Sequence, residues 1–349
     1  MNLLQTIIEL SALPGPSGAE GAAADHAAGL FGQVCDSVRR TRLGSVVGVK
    51  SAANNPGHAA FMLDAHIDEI SLTVTGVTDG GFLRFGQMGF DPRTLPSREV
   101  TLISDKEYFG VITSLPPHVL SAEDMDKPFK EDDLVIDCGY SAAEAERRFP
   151  AGTRAVVRQQ CRELLNGMLS GKALDNRAGL AVILYAAHLL KDGPLDFDLC
   201  LVASAGEEHG QYSGAVTAAY EIGPMAAIVV DMGYGRSPDS PAGKTFDVGG
   251  GPMIAVGPSL TRGMSDGLIK CAKKLDMAYQ TEVIAGRSGT NAWPIQISRA
   301  GVPTGLVSVP LKYMHTAVEA VMISDIEQTG RLIAEFIRGY SPERGARYE

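Results

Sequence analysis

Apolar and polar positions follow two different patterns along this chain. Before about residue 70, and again after Gly171, apolar runs that predict strands alternate with segments that have helical spacing. Residues 2–10, for example, place Leu3, Leu4 and Ile7 on one helical face. Strands that alternate with helices in this way predict an α/β unit, in which a mostly parallel sheet is covered by helices on both sides.

The predicted elements of this α/β part are short and regularly spaced. Ser17, with Glu20 three residues later, predicts a capping box at the start of a helix that continues to about Phe31. Further helices are predicted over 176–191, 213–222, 268–275 and 323–340, and strands over 46–49, 59–63, 197–203, 226–231 and 305–309.

The pattern changes between about residues 71 and 161. Short apolar runs, at 82–85, 100–103, 109–112 and 134–136, are separated there by clusters of Gly, Pro and Asp. Only one short helix, near 141–148, is predicted among them. We therefore expect one α/β catalytic domain formed by residues 1–70 and 162–349, with a small β-rich domain inserted over 71–161.

Composition and charge narrow the classes of function. The 349 residues contain 31 Lys and Arg against 41 Asp and Glu, a net charge of −10. Such a chain is poorly suited to nucleic acid or to an anionic membrane as a partner. No apolar run reaches the roughly 18 residues of a membrane span, and the N-terminus has no basic region of a signal peptide. Five scattered cysteines without a C-x-x-C pair favour reduced thiols, so a cytoplasmic protein is predicted.

Histidines and carboxylates follow the ends of predicted strands or open predicted helices, where ligands bind in open α/β sheets. Imidazole and carboxylate ligands without cysteine suit zinc, cobalt or manganese in a hydrolytic site. A pair of ions about 3.5–4 Å apart needs a shared carboxylate and terminal ligands on each side, and this set supplies both. The residues are His66 with Asp68, Asp175, Glu207 with Glu208, Asp231 and His315.

Two of these carboxylates have other predicted roles. Glu207 lies beside a ligand and can take a proton from an activated water before giving it to a leaving amine. Asp68 is two residues from His66 and can hold the far nitrogen of that imidazole, which fixes the tautomer. Asp175 could also simply cap the helix that follows it.

Together these motifs resemble the M42 family of metallo-aminopeptidases, the group that includes deblocking and tetrahedral aminopeptidases. The matching segments are AHIDEI at 65–70, KALDNRAG at 172–179, EE at 207–208, VD at 230–231 and YMHT at 313–316. The similarity extends from about residue 3 to residue 338. Each motif alone is weak, but five of them in this order and spacing are specific.

The resemblance implies a function, a cofactor and an assembly. It implies a dinuclear aminopeptidase that removes N-terminal residues from short peptides, with two Zn²⁺, Co²⁺ or Mn²⁺ ions per subunit. It also implies that the insertion is a β-barrel-like dimerisation domain, and that dimers assemble into a tetrahedral dodecamer. By position, one ion would bind His66, Asp175 and Asp231, the other Asp175, Glu208 and His315, with Glu207 as general base and acid.

Two positions depart from the family pattern, and other hydrolases remain as alternatives. His209 and Asn291, both expected near the substrate, leave open a metal-dependent hydrolase of another small amide. The sequence GMSDG at 263–267 fits the G-x-S-x-G pattern of a serine hydrolase, although Ser265 fits better as the N-cap of the following helix. A glycoside hydrolase has little support, because Trp293 is the only tryptophan available to stack on a sugar.

Overall fold

The computed structural model describes residues 1–52, 59–121, 123, 127–238, 240–241 and 243–340. Within these ranges the helices are α1 (Leu3–Ala12), α2 (Gly21–Phe31), α3 (Ala142–Arg148), α4 (Leu174–Leu189), α5 (Ser213–Ile222), α6 (Arg262–Lys274), α7 (Ala292–Gln296) and α8 (Ile323–Arg338). The strands are β1 (Ser37–Arg40), β2 (Val46–Lys50), β3 (Ala60–His66), β4 (Ser71–Val77), β5 (Leu83–Met88), β6 (Glu99–Ile103), β7 (Glu107–Thr113), β8 (Val135–Asp137), β9 (Arg154–Val157), β10 (Arg162–Glu163), β11 (Met168–Gly171), β12 (Asp198–Ser204), β13 (Ala226–Tyr234), β14 (Met253–Val256), β15 (Gln280–Val283), β16 (Thr304–Lys312) and β17 (Glu319–Met322).

Eleven of these strands form one twisted sheet, in the order β1-β2-β12-β3-β13-β16-β17-β11-β10, with β14 paired to β16 and β15 to β14. The central pairs β12/β3, β3/β13 and β13/β16 are parallel, and the outer pairs are mostly antiparallel. The predicted α/β fold is confirmed, with a sheet that is mixed rather than mostly parallel. The parallel strands at its centre end at one edge, which is where a ligand site is expected.

The core of this unit lies between the sheet and its helices. Helix α4 is buried along almost its entire length, because most of its residues are Ala, Leu, Ile or Val. It packs against β3 on one side and against α1 and α8 on the other. The start of α4 is therefore fixed against the sheet, close to the ends of β3 and β13.

The remaining six strands close into a barrel in the order β4-β5-β8-β7-β6-β9. Its interior is apolar, with Leu72, Leu102 and Ile136 fully buried. The first and last strands are neighbours, since Leu72 pairs with Ala155 in antiparallel register. The barrel is the β-rich insertion expected from the sequence, whereas the domain boundaries after residues 70 and 161 stay a prediction.

Several predicted elements need correction. Helix α2 begins at Gly21, and the Ser17 hydroxyl donates to the Asp68 carboxylate instead of capping the helix. Helix α6 begins at Arg262, so Ser265 lies inside it. Its hydroxyl is buried and donates to the Ala255 carbonyl, which fits neither an N-cap nor an exposed nucleophile. Helix α7 and strands β1, β4, β9, β10, β11, β14, β15 and β17 had no counterpart in the sequence pattern.

None of the helices in the described part of the chain has both the length and the apolar composition that a membrane span requires.

Candidate metal centre

The predicted ligands meet at the edge of the sheet where the central parallel strands end. His66 is the last residue of β3, and Asp231 lies near the end of the neighbouring β13. Glu207 and Glu208 follow β12, which pairs with β3 on its other side. Asp175 lies at the start of α4, and His315 follows β16.

Asp175 lies between the two histidines. Its Oδ1 is 3.2 Å from His66 Nε2, and its Oδ2 is 3.7 Å from His315 Nε2. His66 Nε2 is also 3.9 Å from Asp231 Oδ1, and His315 Nε2 is 3.3 Å from Glu208 Oε2. Within each of two triads that share Asp175, all ligand atoms lie within 4.8 Å of one another: His66 with Asp175 and Asp231, and Asp175 with Glu208 and His315. A third group, His66 with Glu207 and Glu208, meets the same limit but does not include Asp175.

The same region concentrates negative charge away from water. Burial, opposed by His66 and reinforced by Asp231, raises the pKa of Glu207 to about 10. Burial also raises the pKa values of Glu208 and Asp231, and Asp175 adds to both shifts. Four crowded carboxylates remain ionised in such a place only if cations compensate them. Both the nitrogen and oxygen donor set and its charge therefore fit divalent metal ions.

A buried carboxylate supports the half of the cluster around His66. Asp68 accepts hydrogen bonds from the backbone N–H groups of Glu207 and Glu208, each at 3.0 Å, and from the Ser17 hydroxyl at 2.6 Å. His66 Nδ1 is 3.2 Å from the Asp68 carbonyl oxygen and 3.4 Å from its Oδ1. Burial alone would raise the pKa of Asp68, but the interactions with His66 and Ser17 outweigh it and lower the pKa to about 2.

A second buried carboxylate supports the other half, and the sequence analysis missed it. Glu319 accepts the backbone N–H of Asp175 at 3.1 Å and that of His315 at 3.0 Å, and it is only 1% exposed. Asp68 and Glu319 thus have the same structural role, because each accepts hydrogen bonds from the backbone N–H groups of two predicted site residues. The signal in the sequence was slight, an acidic residue four positions after His315.

The two unusual positions lie beside the site rather than in its cavity. Asn291 is 1% exposed, and its amide donates to Asp64 and to Ser204, both at 2.8 Å. His209 accepts a hydrogen bond from the backbone of Gln211. Neither belongs to the lining of the cavity over the ligands, and their expected position near the substrate stays a prediction.

That cavity has a volume of about 200 Å³. It is lined by the five predicted ligands and Glu207, and its wall also includes Met232, Tyr234, Glu282, Leu306, Ser308 and Met314. A larger cavity of about 650 Å³ lies between the barrel and the α/β unit, but none of the predicted site residues lines it. The predicted site residues therefore line the smaller of these two cavities.

Comparisons with known proteins agree on one family. The model of the M42 glutamyl aminopeptidases matches residues 44–332. A lysyl aminopeptidase from Pyrococcus furiosus is 31% identical over 97% of this chain and 97% of its own. A TET aminopeptidase structure from a marine sediment Thaumarchaeota archaeon covers the whole of both chains at 25% identity, with a TM-score of 0.92. The Pyrococcus horikoshii TET1 peptidase, which can assemble into a tetrahedron or a large octahedral shell, is 27% identical with a TM-score of 0.82, over 96% of this chain and 98% of its own.

Proposed function

This chain belongs to the M42 glutamyl aminopeptidase family and is a metallo-aminopeptidase, and on that premise we propose that it removes N-terminal residues from short peptides with two divalent ions. The position of Asp175 carries the proposal of two ions. Its two carboxylate oxygens face two different histidines, which is the arrangement a bridging ligand requires. Each of the two triads then provides one nitrogen and two oxygen donors.

The proposed ligands are those that the sequence suggested. One ion would bind His66, Asp175 and Asp231, and the other Asp175, Glu208 and His315. Bound divalent ions polarise a scissile carbonyl and make a water molecule more acidic. The same donor set serves Zn²⁺, Co²⁺ and Mn²⁺, so all three are candidates.

The remaining groups move and orient protons. The Glu207 carboxylate would accept a proton from the attacking water and then donate it to the nitrogen of the leaving amine. It is suited to this because its Oε2 lies 3.9 Å from His66 Nε2, inside the cluster, while neither of the two triads needs it as a ligand. Asp68 would keep Glu207 in place through the backbone and keep the imidazole of His66 in one tautomer.

The assembly and location are parts of the same proposal. Since the TET1 relative assembles into closed shells, we expect dimers of this chain to form a tetrahedral dodecamer, with the barrel in residues 71–161 providing dimer contacts. A cytoplasmic location is supported by five cysteines that are all unpaired.

The decisive test of the mechanism is the substitution Glu207→Gln. It keeps the shape of the side chain and leaves both triads intact, so the ion content measured by mass spectrometry should stay at the wild-type value. Loss of the proton acceptor should lower kcat by roughly 10² to 10⁴-fold on aminoacyl-p-nitroanilides. Glu146→Gln, an exposed position on α3 of the barrel, is the matched control. Wild-type turnover by Glu207→Gln would contradict the assigned role.

The reaction class is tested by removing and restoring the ions. Protein treated with a chelator should lose activity and regain it with zinc, cobalt or manganese. Peptides with a free N-terminus should be shortened, whereas N-acetylated peptides of the same sequence should remain intact. Failure to release any residue with any of the three ions, from folded and ion-loaded protein, would favour another small amide as substrate.

A further inference from the structure

One carboxylate that lines the cavity belongs neither to the five predicted metal ligands nor to the proposed general base, Glu207. Glu282, on the short strand β15, lines the same cavity as the predicted ligands. Its Oε2 accepts a hydrogen bond of 3.1 Å from the Ser308 hydroxyl, which holds it towards the cavity. Neither β15 nor this residue belongs to a motif that the sequence analysis singled out.

Glu282 is not part of any ion pair formed within the described part of the chain. Among the residues that the structure describes, no Lys, Arg or His forms an ion pair with it; burial raises its pKa, and only the bond from Ser308 opposes that shift. Arg287, five residues further along, instead stacks its guanidinium on Trp293 at 4.9 Å from the ring centroid. A carboxylate that is partly removed from water without a counter-charge is costly, so a cationic ligand at this place would be stabilised.

The register of the sheet places this carboxylate close to the reacting end of a substrate. Ser308 on β16 pairs directly with Asp231 on β13, so the two side chains leave the same face of the sheet on neighbouring strands. Neighbouring strands are only about 4.8 Å apart. Because Ser308 binds Glu282, the carboxylate lies near the predicted ligand Asp231, within the span of one long side chain.

The cavity that Asp231 and Glu282 both line also has apolar side chains in its wall. Met232 follows Asp231, and with Leu306 and Met314 it lines the same cavity. A side chain with several methylene groups and a charged end would bury its stem on this surface and present its charge to Glu282. Short side chains would not reach the carboxylate, and acidic side chains would be repelled by it.

From this arrangement we infer that Glu282 is a specificity residue, which binds the ammonium or guanidinium group of an N-terminal lysine or arginine. The inference rests on the proposed aminopeptidase function, because it assigns the wall around Glu282 to the side chain of the residue that is removed. Ser308 is then a positioning residue, since it acts on the substrate only through Glu282.

The test compares two substrates that differ in charge alone. Lysine and norleucine p-nitroanilides have side chains of similar length, but only lysine carries the ammonium group. The wild-type enzyme should favour lysine in kcat/KM, and in Glu282→Gln that lysine-to-norleucine ratio should fall by about 10 to 100-fold, the usual worth of a hydrogen bond to a charged group. The glutamine can still accept the bond from Ser308, so the substitution removes charge rather than structure. Glu146→Gln should leave the ratio at the wild-type value.

A charge reversal gives an independent outcome. In Glu282→Lys, glutamate p-nitroanilide should become a better substrate than lysine p-nitroanilide. An unchanged lysine-to-norleucine ratio in Glu282→Gln, with norleucine still released, would overturn the inference and leave the aminopeptidase function intact. Absence of release from every substrate by the wild-type enzyme would instead contradict the proposed function itself.

Discussion

The two halves of the candidate metal centre share one carboxylate but differ in their access to water. In the half around His66, which we call the closed half, the side chain of His66 is 1% exposed, and those of Asp175 and Asp231 are each 7% exposed. In the half around His315, the open half, Glu208 is 4% exposed but the His315 side chain is 39% exposed. One half is thus enclosed by protein, and the other faces solvent through its histidine.

The two histidines also differ in how their backbone is held. His66 ends a central strand with hydrogen-bonded neighbours on both sides, so its position follows from the sheet. His315 lies on a loop in the left-handed conformation, with φ of 61°, which costs a non-glycine residue about 1 kcal/mol or more. Glu319 holds that loop by one hydrogen bond to the backbone of His315. We therefore expect the closed half to bind its ion firmly and the open half to exchange its ion with solution.

Removing one histidine at a time should give the largest difference between the two halves. His315→Ala should lose the exchangeable ion, keep about one ion per chain after dialysis, and lose activity by more than about 100-fold, since lost outer-shell partners already cost up to that much. His66→Ala should keep no ion after dialysis, because only the open half would remain. Metal analysis by mass spectrometry distinguishes the two variants. Equal ion contents would show that the two halves do not differ in affinity.

A smaller effect is expected from the two supporting carboxylates. Asp68→Asn and Glu319→Gln each turn one acceptor oxygen into an N–H donor that faces the backbone N–H groups it used to bind. Each should weaken ion binding by about 10 to 100-fold, the first in the closed half and the second in the open half. Titration of stripped protein against a metal-binding dye resolves the two affinities. A loss in the wrong half would contradict the division.

The smallest effect should come from Ser17, which reaches the cluster only through Asp68. Ser17→Ala removes one of the hydrogen bonds to that carboxylate, worth about 0.5–1.5 kcal/mol, so ion affinity in the closed half should fall by roughly 2 to 13-fold. The open half should keep its wild-type affinity. Ser11→Ala removes another buried hydroxyl, one that bonds the Lys172 carbonyl, and is the matched control in the same dye titration. An equal effect of both substitutions would indicate a general loss of packing.

The sequence was informative about the site because its chemistry is tied to strand ends. An apolar run followed by His66 or preceding Asp231 predicts both a strand and the direction in which the next polar side chain points. The fold class followed from the same alternation and is confirmed. What each of these residues does remains a prediction, because distances alone assign no role.

The sequence was misleading where a distant partner outweighs a local pattern. Ser17 and Glu20 have capping-box spacing, yet the hydroxyl of Ser17 binds Asp68, 51 positions away. Strands β4 and β9 were missed because each is stabilised by pairing with the other and with further barrel strands. Glu319 was missed for a related reason, since it acts on two backbone groups that come together only in the folded chain.

The closure of the barrel has a consequence for the way the chain is assembled. Leu72 and Ala155 are 83 positions apart in sequence, yet they are paired neighbours. The chain therefore leaves the barrel within about one strand spacing of the point where it entered it. The insertion therefore connects to the α/β unit through two neighbouring points, as a short hairpin would. Loop-closure entropy depends on the number of free residues between two joined points, so a barrel that is already folded holds its two ends, residues 71 and 157, together at little further entropic cost. An insertion attached in this way can be shortened, enlarged or exchanged while the sheet that holds the ligands stays as it is.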